Sequence, residues 1–170
     1  QVTTPAKTRV LHWETNAAYS LIAGEVQYGG VPVVIHRRAV LYAEEACGWL
    51  IADWVSPASL DARIHLTFPF GMDATVMAQP FPGIQLRSEN GKSACIVSMQ
   101  ADMPEISPCW VSSSYGLKQE SLQAEFRFSG KPIHYWAILP ENQNIELENR
   151  VQMLIKIWED LQLGAYNLKE

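Results

Sequence analysis

The sequence predicts an all-β chain, an antiparallel, supersandwich-like β-sandwich closed by one C-terminal amphipathic α-helix, on three observations. Two stretches alternate strictly. From Ala62 to Phe70 the even positions Ala62, Ile64, Leu66, Phe68 and Phe70 are apolar, with Arg63, His65 and Thr67 polar between them. From Ser121 to Phe128 the residues Leu122, Ala124, Phe126 and Phe128 alternate with Gln123, Glu125 and Arg127. A period of two puts one face of a strand in a core and the other outward. Turn signals recur at spacings too short for the crossover helix that a parallel pair requires. A helical period appears only beyond Pro140, where Val151, Leu154, Ile155, Trp158 and Leu161 share one stripe.

In chain order, Gln1 to Lys7 is a polar, Pro-containing approach. Thr8–Thr15 and Ala17–Tyr28 form two strands joined near Asn16, and Gly29-Gly30 turns the chain before Pro32. Residues Val31 to Phe70 are expected to give three successive antiparallel strands, with turns at Glu44–Gly48 and at Ser56–Asp61. Short strands follow around Thr75–Ala78 and at Ile84–Arg87. The Asn90-Gly91 pair then predicts a hairpin into Ser93–Met99. Asp102–Pro108, rich in proline, is expected as a loop, with strands at Cys109–Tyr115, Ser121–Phe128 and Ile133–Leu139. The tail predicts one helix over Glu146–Leu163, with Asn142 or Asn144 as N-cap and Gly164 as C-cap. Residues 1–140 then form the sandwich and residues 141–170 the helix packed on it, in one domain.

A length of 170 residues with 48% apolar and 18% charged content suits one globular domain. A formal charge of −5 argues against a general nucleic-acid binder, because phosphate binding draws on Lys and Arg. No run approaches the roughly 20 apolar residues of a membrane helix. The segment QVTTPAK lacks the basic and apolar regions of a signal peptide. Cys47, Cys95 and Cys109 form neither a CxxC pair nor a Cys/His cluster, so no structural zinc is expected and one or more of them read as buried free thiols; no cofactor is expected either.

Chemistry-bearing residues are scattered. The strand carrying His36, Arg37 and Arg38 must place a cation on each of its sides. An inward cation needs a carboxylate, and Asp53 in the next strand is the natural partner. The same residues could receive a substrate carboxylate, arginine being the bidentate partner of choice. His12, His65 and His134 sit in strands without a local nucleophile or orienting group, and Glu14 with Glu25 is a weak glycosidase pair. Seven rings, Trp13, Tyr19, Tyr28, Trp49, Trp54, Trp110 and Trp136, are divided between core and stacking surface.

The string HRRAVLY (His36–Tyr42), followed by GWLIADWV (Gly48–Val55) and ARIHLTFPF (Ala62–Phe70), resembles the C-terminal β-sandwich of the heparinase II/III-like polysaccharide lyases. SPCWVSSSYGLK (Ser107–Lys118) and IHYWAILP (Ile133–Pro140) are similar to later segments of that family, so the likeness runs in order from Trp13 to Pro140. It implies a parent with an N-terminal α/α-toroid that cleaves uronic-acid-containing glycans by β-elimination, in a periplasmic or secreted setting. Where relatives often show histidine in an A-x-H-x-G-Y pattern, this chain has Glu25 within AGEVQYGG. No catalytic residue is therefore carried over.

The resemblance implies a portion that does not cleave glycan alone, shapes one wall of a groove for an acidic polysaccharide or oligosaccharide, and supports the toroid. Tyr28, His36 and Arg38 are the candidate substrate-binding residues. The alternatives are a stand-alone carbohydrate-binding module, favoured by exposed rings in a row, and a structural domain that assembles through the helix stripe.

Overall fold

The structure is a computed structural model that describes residues 6–29, 33–56, 62–68, 72–78, 80–99, 103–112, 116–128, 133–141 and 145–161; the side chains of 62–65 and 128 lie outside that description. Among the described residues eleven strands and one helix follow in order: β1 (Lys7–Thr15), β2 (Tyr19–Tyr28), β3 (Val34–Ala43), β4 (Gly48–Ser56), β5 (Ala62–Thr67), β6 (Met72–Met77), β7 (Gly83–Ser88), β8 (Ser93–Ser98), β9 (Glu105–Val111), β10 (Gln119–Phe128), β11 (Ile133–Pro140) and α1 (Leu147–Asp160). They build an eight-stranded sheet in the order β1-β2-β3-β4-β11-β8-β7-β6 and a three-stranded sheet in the order β5-β10-β9. Every strand pairing is antiparallel. The expected all-β sandwich with one C-terminal helix is what forms.

The large sheet is covered on both faces. On one face Leu21, Ala23, Ala39, Leu41, Leu50, Ala52, Val97, Ala137 and Leu139 meet Val151, Leu154 and Trp158 of α1. On the other, Ile51, Ile84, Leu86, Ile96 and Trp136 meet Phe68, Ala124 and Phe126 of the small sheet. The second core draws on β3 only through Val40 and takes no described residue from β1 or β2. Among the described residues that end of the large sheet is uncovered on the face turned toward the small sheet, and the candidate site lies there.

Local chemistry accounts for the turns. The Asn16 side-chain oxygen accepts the Ala18 and Tyr19 N–H groups at 2.8 and 3.0 Å, closing β1 onto β2. Gly91 adopts φ 79°, Ser88 N–H reaches the Lys92 carbonyl at 2.8 Å, and the predicted β7–β8 hairpin forms around it. A Cβ on Gly83 would collide with the Ile96 carbonyl oxygen and crowd Val97 across the β7–β8 ladder. Gly83→Ala is expected to cost about 2 kcal/mol, read from the shift of the urea midpoint; an unchanged midpoint would contradict this packing.

Several expectations are corrected. The third strand of the Val31–Phe70 stretch leaves the sheet: β5 pairs with β10, and β4 takes β11 as its neighbour, Ile133 opposite Trp54 through Ile138 opposite Trp49. The reason is sidedness. But for the buried His134, β11 is apolar on both faces and suits a position between two cores, whereas the one-sided β5 suits a covering sheet. Leu66 is half-buried, Thr67 exposed and Phe68 buried, in line with the alternation; the rest of that strand's side chains and residues 69–70 lie outside the described residues. In β10, Ala124 and Phe126 are buried and Arg127 is exposed, as the period requires.

The Pro-rich stretch is strand β9 from Glu105 onward, not a loop. Pro108 is tolerated because β9 is an edge of the small sheet, where one side of the ladder needs no N–H donor. The helix stops at Asp160 with Leu161 as its C-cap, short of Gly164, and Glu146 is its N-cap without a side-chain bond; Asn142, Asn144 and Gly164 lie outside the described residues. Arg150, absent from the predicted stripe, is also buried on α1. All three cysteines are free thiols, but Cys47 is exposed and the other two only half-buried.

Candidate functional site

Strand β3 presents His36 and Arg38 on the face toward the small sheet and Arg37 on the face toward the helix, because successive side chains alternate. Each side has its own carboxylate. Asp53, 1% exposed, lies directly across from Arg38. Its Oδ1 accepts Arg38 Nε at 2.7 Å and bonds His36 Nε2 at 2.7 Å; its Oδ2 accepts Arg38 Nη2 at 3.0 Å and Trp136 Nε1 at 2.8 Å. Arg38 also lies over the Trp136 ring, 5.5 Å from its centroid. Burial pushes the Asp53 carboxyl up, but the hydrogen bonds from His36, Arg38 and Trp136, with the charge of Arg38, outweigh it and hold the group below its ordinary range. A carboxylate only accepts, so Nε2 of His36 carries the proton and Nδ1 is the nitrogen left for a ligand.

On the helix-side face, Glu25 takes Arg9 through both oxygens, at 2.8 and 3.1 Å, and Arg37 Nε at 2.7 Å. Arg37 stacks over Trp54 at 4.8 Å. The hydrogen bonds of Arg9 and Arg37 draw the Glu25 carboxyl below its ordinary value. Glu25 is thus tied down as a counterion. Glu14 accepts from Tyr19 and sits on the same face as Glu25, about 13 Å along the strands by the rise per residue. That is too far for the paired carboxylates of a glycosidase, so this weak reading falls.

His36 and Arg38 face a shallow depression of about 510 Å³, bounded also by Val10, Ile22, Gly24 and Val26 on the open end of the sheet. Arg38's side chain is 41% exposed and His36's 27%, so both reach solvent while Asp53 anchors them from below. Tyr28 closes β2 on the same face, exposed, but does not line the depression. Trp13 lies across from Ile22 and is 73% exposed, which puts an unburied indole on this face. Sequence reasoning counted Trp13 only among seven rings; the burial contrast along β1 was not legible there because the β1 pattern is mixed. Among the described residues Glu25 is the sole carboxylate of the lining and is already paired, and no tyrosine or cysteine lines the depression. Among the described residues no group of three or more His, Cys, Asp and Glu could hold a metal ion.

No protein-family model matches the sequence, and no curated protein matches it. Solved structures do resemble it in fold. The heparan sulfate lyase HepC from Pedobacter heparinus superposes with a TM-score of 0.65 at 16% identity, over 82% of this chain and 22% of that one. A heparinase III gene product gives 0.60 at 15% identity, over 79% and 22%, and a further heparinase III structure gives 0.59 at 18%, over 84% and 22%. The chain spans about a fifth of the length of these proteins, and the expected kinship of fold is found.

Proposed function

We propose that this chain is the C-terminal β-sandwich portion of a heparinase II/III-like polysaccharide lyase, that it shapes one wall of the groove for an acidic glycan and supports an α/α-toroid of the parent, and that it does not cleave glycan alone. The observation that carries the reading is the His36–Asp53–Arg38 cluster. A buried carboxylate fixes one guanidinium and one imidazole side by side at the rim of an open depression. Arg38 spends Nε and Nη2 on Asp53, which leaves Nη1 to a sulfate or uronate oxygen. Pre-organised donors of this kind lose little freedom on binding. β-Elimination also needs an acid for the leaving oxygen, and among the described residues lining the depression there is no tyrosine or unpaired carboxyl for that role. The fold shared with a heparan sulfate lyase supports an acidic glycan as the proposed ligand class.

Arg38→Gln is expected to weaken binding of an acidic uronate oligosaccharide about tenfold at low salt, measured by titration calorimetry, while leaving any binding of a neutral oligosaccharide unchanged. Equal affinities of variant and parent for the acidic ligand would sink the reading. Turnover of uronate polysaccharides by the isolated chain, seen as absorbance of an unsaturated product, would contradict the non-catalytic role. One observation favours a stand-alone carbohydrate-binding module instead: the exposed Trp13 on the same face is a platform for a sugar ring. Saturable quenching of tryptophan fluorescence by neutral sugars, abolished in Trp13→Ala, would decide for that alternative.

A further inference from the structure

Around the edge of β1, on the helix-side face, lies a second depression of about 350 Å³ lined by Lys7, Thr8, Arg9, Gln27 and Arg37 around Glu25. Three cations face one carboxylate, a surplus of two positive charges in a chain whose formal charge is −5. Glu25 does not neutralise the pair it bridges: it accepts from Arg9 and Arg37 together. Arg37 is buried and anchored over Trp54, whereas the Arg9 side chain is 62% exposed. Thr8, Arg9 and Glu25 also line the His36–Arg38 depression. β1 is the edge strand, among the described residues no strand pairs with its outer side, and the two depressions meet across it.

We infer that the two depressions are one basic cleft folded over the β1 edge, and that Lys7 and Arg9 form a second anion subsite for a sulfate or carboxylate of the acidic glycan held at His36 and Arg38. The inference rests on the proposed acidic-glycan reading for the identity of the polymer, but not for the existence of the anion site. The physical case is charge with geometry. The Arg9–Glu25–Arg37 ladder fixes the guanidinium of Arg9 in place, and Thr8 and Gln27 add neutral hydrogen-bonding groups to the same wall. A polyanion crossing the edge meets Arg38 on one side and Lys7 with Arg9 on the other, so its acidic groups are read at two points and the affinities multiply.

Two titrations of the whole chain test this. Inorganic sulfate, followed by NMR, is expected to shift the amides of Thr8, Arg9 and Gln27 saturably, in the parent and in Arg38→Gln alike. A sulfated, uronate-containing hexasaccharide is expected to bind about fivefold more weakly to Lys7→Gln and to Arg9→Gln, each with a shallower salt dependence. Lys7→Gln leaves the Arg9–Glu25–Arg37 ladder intact, so a folding defect in the Arg9 variant does not blunt the test. Parent-like affinity in both variants, with no sulfate shifts at Thr8 to Arg9, overturns the second subsite even where Arg38→Gln weakens the hexasaccharide. Sulfate shifts that persist while Arg38→Gln binds the hexasaccharide like the parent uphold the subsite and overturn the glycan reading instead.

Discussion

Replacing Asp53 by alanine is expected to cost about 3 kcal/mol of folding stability, the largest loss foreseen for any single change in this chain. Four donor contacts end on this one carboxylate, which is almost wholly buried. Its removal strands the Trp136 indole N–H inside the second core and leaves Arg38 and His36 without their counterion. The loss stays at the lower end of the range for broken buried pairs, because the part-exposed Arg38 and His36 can swing to water. Asparagine at this position keeps acceptor capacity for one or two donors but no charge, so its cost falls between parent and alanine.

The acid limb carries a second signature. The folded-state value of Asp53 is depressed, so its stabilising contribution is complete above the ordinary carboxylate range, about pH 4, and is lost as pH falls through the lower folded-state value. Glu25, held down by Arg9 and Arg37, acts in the same direction. Urea unfolding of the parent from pH 6 down to pH 3, against Asp53→Asn, measures the share of Asp53: the variant's stability should fall less over that interval. A cost below about 1 kcal/mol with parallel acid limbs would remove the cluster from its structural role and, with it, the argument that His36 and Arg38 are pre-organised.

Arg150→Ala is expected to destabilise by about 2–3 kcal/mol and to loosen the helix from the sheet. Arg150 is 2% exposed and meets no carboxylate among the described residues; its Nε donates to the Ala46 carbonyl at 2.8 Å, Nη2 to the Cys47 carbonyl at 2.7 Å and Nη1 to the Pro140 carbonyl at 2.6 Å. Burial lowers its proton affinity below the arginine norm, and no counter-charge offsets the desolvation except at a distance, yet the group stays charged under all ordinary conditions. Two of these charge-assisted bonds tie α1 to the β3–β4 turn and the third ties it to the end of β11; in that turn Cys47 holds φ 48°, a left-handed conformation that a non-glycine residue adopts at a cost. Alanine abandons all three acceptors and opens a cavity beside Val151 and Leu154.

Hydrogen exchange at the Glu44–Cys47 turn and along α1 should quicken in the variant while the amides of β7 and β8 keep their protection. Lysine restores the charge but cannot span three carbonyls with one ammonium, so Arg150→Lys should recover less than half of the loss. Exchange unchanged at the turn would show that the apolar stripe alone seats the helix.

The parts legible in the sequence were those written in a local period. The alternation in β10 and at the end of β5, the Asn90-Gly91 turn and the 3.6-residue stripe of α1 each follow from a few adjacent side chains and their directions, and each formed as expected. The pairing of an inward cation with Asp53 was also legible, since three consecutive basic residues in a strand cannot all face water. Which cation went where followed from parity: His36 and Arg38 to Asp53, Arg37 to Glu25.

Contacts between distant segments left no such local trace. That β11 rather than β5 lies beside β4 depends on competition for one sheet edge, decided by which strand can be apolar on both faces at once. That Arg150 serves three carbonyls more than a hundred residues away in two of its bonds depends on where a turn and a helix meet, and an arginine on a helix reads as solvated until they do. The basic cleft is of the same kind. Lys7 with Arg9 and the run His36–Arg38 stand far apart in an anionic chain, and only the closing of β1 onto β2 and β2 onto β3 gathers them, because a ladder brings side chains within reach of one another that the chain itself holds apart.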